Sequence, residues 1–305
     1  MTAAAAPAAV AATAPASSPH GTAVSFDIED WFHSEFVPET ERRGATESVV
    51  LAGTTRILDL LRATGSRSTF FLLGDVVRQH PALLRRIVDE GHEIASHGMD
   101  HRPLWRLDAD GFADQLDEFR RVVEQVIGRF PVIGYRAPCF SLDRTTAWAL
   151  DVLRDRGYAY DSSIFPAWTK LYGVPDAPVG TYRPAAGDLA RHDPRGALVE
   201  FPVAVAAAGL MRLPVAGGFY LRAMPFAIFR RVLGAIQRRR PVALYLHPRE
   251  CAPESVRLPL RGIASVITCR GLAGMPAKVE QLLRHYRSRP MREVLAACGH
   301  LPPGL

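Results

Sequence analysis

Short apolar runs that each stop at a polar or charged side chain set the strongest limit on how this chain can fold. Ala23–Asp27, Thr69–Leu73, His92–Ser96, Val132–Arg136, Tyr158–Tyr160, Leu198–Val205 and Val242–Leu246 read as short strands, several of them rich in β-branched or aromatic residues. Stretches with helical period lie between them: Glu47–Thr64, Pro81–Glu90, Asp108–Gly128, Thr145–Arg156 and Pro225–Arg238. This alternation predicts a mostly parallel sheet, open or closed as a barrel, whose strand ends converge on one face. Tyr172–Arg195 reads as a long loop, Gly217–Arg222 as a tight turn or close backbone approach, and Ala277–Arg287 and Met291–Ala297 as two C-terminal helices.

The 305 residues are enough for one large α/β domain or two smaller ones, and 48% hydrophobic with 22% charged residues is ordinary for a soluble globular chain. The net charge of +6 is spread out, with Arg238–Arg240 as its dense run, so nucleic acid is not an expected partner. Cys139, Cys251, Cys269 and Cys298 lie far apart without C-x-x-C spacing, which argues against a zinc ribbon and a disulfide framework. Residues 1–20, mostly Ala, Pro, Ser and Thr, read as a disordered tail. No apolar run reaches the roughly 18 to 20 residues of a membrane span. The expectation is a cytoplasmic protein, or one peripheral to the membrane.

His97 and His101, four residues apart, would fall on one side of a helical turn and grip one metal ion. Alone that spacing is a weak signal. It gains weight because other strand ends carry Asp27, Glu29 and Asp30, Arg136, Asp161 and His247. Two imidazoles plus one carboxylate leave an open coordination position, as a catalytic zinc-type site requires. Asp27 is then the candidate general base, His247 the candidate general acid, and Arg136 the charged partner that orients Asp27.

These segments resemble the polysaccharide deacetylases with a NodB homology domain, carbohydrate esterase family four. The resemblance is carried by Ser25-Phe26-Asp27-Ile28-Glu29-Asp30, Ser96-His97-Gly98-Met99-Asp100-His101, Arg136-Ala137-Pro138 and Leu246-His247-Pro248. Thr69-Phe70-Phe71-Leu72 and Gly91-His92-Glu93-Ile94 add to it. Gly217–Arg222 and the C-terminal helices are similar to a subfamily found with bacterial exopolysaccharide and exosortase loci.

The resemblance implies an α/β fold, a deformed (β/α) barrel of the NodB homology type with a C-terminal helical extension. Its expected divisions are the tail 1–20, a catalytic domain 21–250 and the extension 251–305. It implies a divalent metal, Zn2+ first, and hydrolysis of a linear amide C–N bond, removing N-acetyl groups from N-acetylhexosamine units of a bacterial exopolysaccharide. Matched by motif, Asp27 is the base, His97 and His101 are metal ligands, Arg136 is the partner of the base and His247 is the acid. Most members have adjacent aspartates in the first motif; here Ile28 intervenes, and both Glu29 and Asp30 are candidates for the third ligand.

Cys139 and Phe140 replace the usual aromatic and Gly after Pro138, leaving the backbone amide there as the oxyanion donor. Asp161, in a loosely matched fourth motif, is expected to orient His247, and Phe165 or Trp168 to wall the acetyl methyl. Arg222 either binds a sugar acid or closes an internal salt bridge. The implied partner is an N-acetylated oligo- or polysaccharide, with association to membrane-bound polysaccharide machinery. Two other readings compete: an allantoinase-like cyclic amide hydrolase, and a catalytically silent carbohydrate-binding protein.

Overall fold

The computed structural model describes residues 20–33, 37, 39–43, 48–209, 211–254 and 269–304. The expected tail therefore lies, but for its last residue, outside the described residues, as does much of the first part of the extension.

Period-two alternation decides what each strand buries. Along β1 (Thr22–Ile28), Val24, Phe26 and Ile28 join the large apolar cluster that includes the helices, while Ala23 belongs to a second, smaller cluster with Phe71, Ala95 and Tyr160. Ser25 and Asp27 share the face of Ala23. A one-residue slip would turn these polar groups toward the helices.

β2 (Thr69–Leu72), β3 (Glu93–Ser96), β4 (Gly134–Tyr135) and β5 (Tyr160–Asp161) follow in order. Two antiparallel pairs, β6 (Pro184–Ala185) with β7 (Asp188–His192) and β9 (Val205–Ala208) with β10 (Met211–Pro214), flank β8 (Val199–Glu200) in the chain, and β11 (Val242–Leu246) comes last. The seven-stranded sheet runs β11-β1-β2-β3-β4-β5-β8, parallel throughout. Val203 bridges Ala243 of β11, and the Ala204 amide donates to the Ala243 carbonyl at 2.9 Å. The two edges thus meet, and the sheet curls into a deformed (β/α) barrel.

The N-terminal end of the barrel is closed by polar bonds. Glu93 accepts from Thr69 Oγ1 at 2.6 Å, Tyr160 OH at 3.0 Å and the Arg292 amide at 3.1 Å. The Met291 amide donates to Thr69 Oγ1 at 2.8 Å, so the helix Met291–Ala297 is tied to the strands. Burial pushes the Glu93 carboxyl up despite these bonds. The helix Met275–Tyr286 buries Val279, Leu282 and Leu283 in the same cluster as Ile57, Leu58 and Leu61 of the helix Val50–Thr64. Among the described residues, no helix is long and apolar enough to cross a membrane.

Several elements differ from the sequence expectation. Leu198–Val205 is not one strand, because Pro202 has no N–H to give a ladder. Tyr172–Arg195 contains the β6–β7 pair, whose turn uses Gly187 at φ 73°. Gly218–Ala223 forms a short helix instead of a turn, and Gly74–Gln79 adds a helix that the apolar spacing did not announce.

Tyr160→Phe removes one donor from the buried Glu93. It should lower the unfolding free energy by about 1–3 kcal/mol in denaturant melts.

Candidate metal and catalytic site

Parallel strands deliver their C-terminal ends to one rim, and the candidate residues gather there. Arg136 follows β4 and is 0% exposed. Its guanidinium donates to Asp27 Oδ1 at 2.6 Å, Ser25 Oγ at 2.8 Å, the Ser162 carbonyl at 3.1 Å and Ser162 Oγ at 3.0 Å, and it lies 4.0 Å over the Phe71 ring. Every polar face of this buried cation is thereby occupied, as burial demands.

The Arg136 carbonyl accepts from His97 Nδ1 at 2.8 Å. A carbonyl on Nδ1 fixes the tautomer that turns Nε2 outward as a lone-pair donor. His97 Nε2 lies 3.5 Å from Glu29 Oε2, and His101 Nε2 contacts the same oxygen. Ligand atoms of Glu29, His97 and His101 all lie within 4.8 Å of one another, and all three residues are buried. Burial opposes ionisation of Glu29, but the His101, His97 and His247 imidazoles outweigh it and hold the carboxyl well below the usual range.

His97 and His101 do not share a helical turn. The chain leaves β3 through Gly98 at φ 83°, and His101 itself is left-handed at φ 62°. Asp100 pins this loop, accepting from Gln115 Nε2 at 2.8 Å and the Arg102 amide at 3.1 Å. The two rings meet because the loop folds back, not because of helical spacing. His33 stacks on His101 with centroids 5.5 Å apart, and burial first, then the His101 charge, lowers its pKa to about 4.

Asp30 is not brought to this group. Its Oδ2 accepts from Ser48 Oγ at 2.6 Å and its Oδ1 from the Val49 amide at 2.7 Å, so it caps the start of the helix Val50–Thr64. Glu29 alone of the two candidates faces both histidines.

His247 follows β11, with Nε2 3.5 Å from Glu29 Oε1. Asp161 does not orient it. Asp161 accepts from the Ser163 amide at 3.1 Å, and Ser163 Oγ in turn receives the Ala137 amide at 2.7 Å, so this acid braces the Ala137–Pro138 turn. Burial, then the Asp161 carboxylate, pushes its neighbour Glu200 well above the usual range.

Glu250, which sequence reasoning missed, lies beside His247 instead. Its Oε2 is 3.6 Å from His247 Nδ1 and accepts the His247 amide at 3.0 Å. Burial opposes its charge, but His247, Arg249 and Arg222 outweigh that and hold its carboxyl below the ordinary range. An acid three residues after the histidine of a His-Pro at a helix start was the available signal. Arg222 Nε sits 3.7 Å from Glu250 Oε1, which fits the internal ion pair of its two expected roles.

These residues open on a cavity of about 690 Å³ that takes in Asp27, Glu29, His97, His101 and His247. Cys139 and Arg222 line it, Pro138 is buried beside it, and neither Asp161, Phe165 nor Trp168 is on its wall. Phe140, Tyr172 and Tyr245 supply the apolar surface there, while Trp105, Leu171 and Phe219 form exposed apolar parts of the lining.

The deformed (β/α) barrel thus carries a Glu–His–His group and a buried Arg–Asp pair at its C-terminal rim. Residues 48–160 match the polysaccharide deacetylase family, and residues 162–296 match a domain of unknown function, DUF3473. The chain thus carries a polysaccharide deacetylase domain joined to a DUF3473 region. A chitin deacetylase of Pestalotiopsis sp is 36% identical over 110 residues, 35% of this chain and 36% of that protein. The chain spans about a third of the length of the first curated relatives it matches. A solved structure from Mycobacterium smegmatis assigned to the polysaccharide deacetylases aligns over 97% of both chains at 23% identity with a TM-score of 0.60. The PuuE allantoinase structure aligns over 95% of this chain and 94% of its own at 15% identity with a TM-score of 0.59. Both likenesses are of fold.

The Glu29 and Asp30 assignments separate by measurement. Asp30→Ala should cost about 0.5–2 kcal/mol of stability, as a lost cap does, and leave zinc affinity unchanged in calorimetry. Glu29→Ala should weaken zinc by more than the roughly 10–100-fold that an outer-shell partner contributes.

Proposed function

We propose that this chain is a zinc-dependent hydrolase that removes acetyl groups from N-acetylhexosamine units of a bacterial exopolysaccharide. The catalytic unit in this reading is 21–250, with 251–305 as its extension and membrane-bound polysaccharide machinery as the setting. The observation that carries it is the division of two neighbouring acids. Asp27 is held by Arg136, whereas Glu29 faces His97 and His101.

The donor set fits the expected metal. Two imidazole nitrogens and a carboxylate oxygen suit zinc, one imidazole is already oriented by a backbone carbonyl, and three protein ligands leave a place for water. When bound, such an ion supplies Lewis acidity and makes water nucleophilic near neutral pH.

The chain's own groups do the rest. Arg136 fixes Asp27 from behind, so Asp27 Oδ2 is the oxygen left to take the proton of the attacking water. The water oxygen bonds to the acetamide carbonyl carbon, and the Cys139 backbone amide is the donor offered to the oxyanion. His247 Nε2 then protonates the departing nitrogen as the C–N bond breaks, giving acetate and a free amine. Apolar surface from Trp105 and Phe219 on the cavity wall suits the face of a pyranose ring.

Acetate release from N-acetylglucosamine oligomers and from the cognate polymer, with chelator and with added zinc, is the direct test. Release should depend on zinc, and Asp27→Asn should lower kcat by at least about 10²-fold with zinc still bound. Turnover of allantoin with no acetate from any saccharide, or saccharide binding without acetate release in zinc, would sink the proposal.

A further inference from the structure

Glu250 takes part in none of these steps, yet the surrounding chain is shaped to keep it in place. It is 1% exposed, with Oε2 against the ring and amide of His247 and Oε1 against Arg222. Gly218 makes the room: a Cβ there would stand 1.7 Å from Glu250 Oε1. Gly217 does the same for β11, since its Cβ would meet Tyr245 OH at 2.7 Å.

Gly218 also begins the helix Gly218–Ala223 that carries Arg222, and Arg222 Nε donates back to the Gly218 carbonyl at 3.3 Å. The far end of that helix is held by Lys278, whose Nζ donates to the carbonyls of Leu221, Arg222 and Met224 at 2.9, 3.0 and 2.8 Å. Gly218 and Arg222 converge on one carboxylate, while Lys278 holds the end of the helix that carries them.

We infer that Glu250 is the positioning residue for His247, holding the His247 amide at 3.0 Å with its Oε2 and standing 3.6 Å from Nδ1 so that Nε2 faces the cavity, and that Gly217–Arg222 is the cradle that fixes it there. The inference rests on the deacetylase reading for its kinetic consequence. A carboxylate beside Nδ1 favours the tautomer that carries the ring proton there and leaves Nε2 toward the cavity. Asp161, the acid that motif matching assigns to this duty, is engaged with Ser163 away from His247. Glu250 takes over its work from the same strand end as His247 itself.

The test uses the full zinc-loaded chain with Glu250→Gln and, separately, Gly218→Ala, which alters no polar side chain but drives a methyl into Glu250. Both should lower kcat on N-acetylglucosamine oligomers by about 10–100-fold while KM and zinc affinity hold. Nitrogen-15 NMR should show the neutral His247 ring passing from the Nδ1–H to the Nε2–H tautomer in Glu250→Gln. If that variant does not fold, Glu250→Gln/Arg222→Met removes both buried charges together and carries the same readings. An unchanged kcat and tautomer, or a rise in KM with kcat kept, overturns the inference. A tautomer change in a chain whose wild type releases no acetate upholds the positioning and sinks the deacetylase reading.

Discussion

A guanidinium cut off from water is the constraint on which the site depends. Each nitrogen of the Arg136 guanidinium must find a partner, and the partners come from β1 and from Ser162 just beyond β5. Removing one member of a buried ion pair generally costs about 3–5 kcal/mol, so Asp27 is held as firmly as the core around it. The same residue's carbonyl orients His97. One arginine therefore fixes both the Asp27 carboxylate and the first histidine, and in the proposed reading it divides the acid that would handle protons from the acid that can hold metal.

The barrel exists to make that meeting happen. Strands with Val24, Phe26, Ile28, Phe70, Leu72 and Ile94 on their helix-facing sides press the alternate residues, Ser25, Asp27 and Phe71 among them, toward the interior. The N-terminal end is closed by Glu93, Thr69 and Tyr160, leaving the C-terminal rim for the cavity. Helix capping by Asp30 fixes where β1's trailing loop turns, and Glu29 is directed to the histidines while its neighbour is kept from them.

Much of this could be read in the residues. The mostly parallel sheet and the rim positions of Asp27, His97, Arg136 and His247 follow from apolar runs that end in polar groups and alternate with helical stretches. What could not be read depended on backbone geometry or long-range contact. Nothing in an H-x-x-x-H spacing says that His101 sits at φ 62° in a folded-back loop. The choice between Glu29 and Asp30 is made by Ser48 and Val49, nearly twenty residues on in the chain. Glu250 escapes a reading of the sequence because the groups that pack on it, Gly218 and Arg222, lie about thirty residues earlier in the chain. Asp161 was misassigned because a strand-end position gives depth along the barrel but not which way the side chain is engaged.

The most direct test of the account is the structure of the zinc-soaked crystal by anomalous diffraction at the zinc edge. The account predicts one ion bonded to Glu29, His97 Nε2 and His101 Nε2 at roughly 2.0–2.2 Å, with the Asp27 carboxylate still on Arg136. An ion that takes Asp27 into its first coordination sphere, or that binds away from these two histidines, would contradict it.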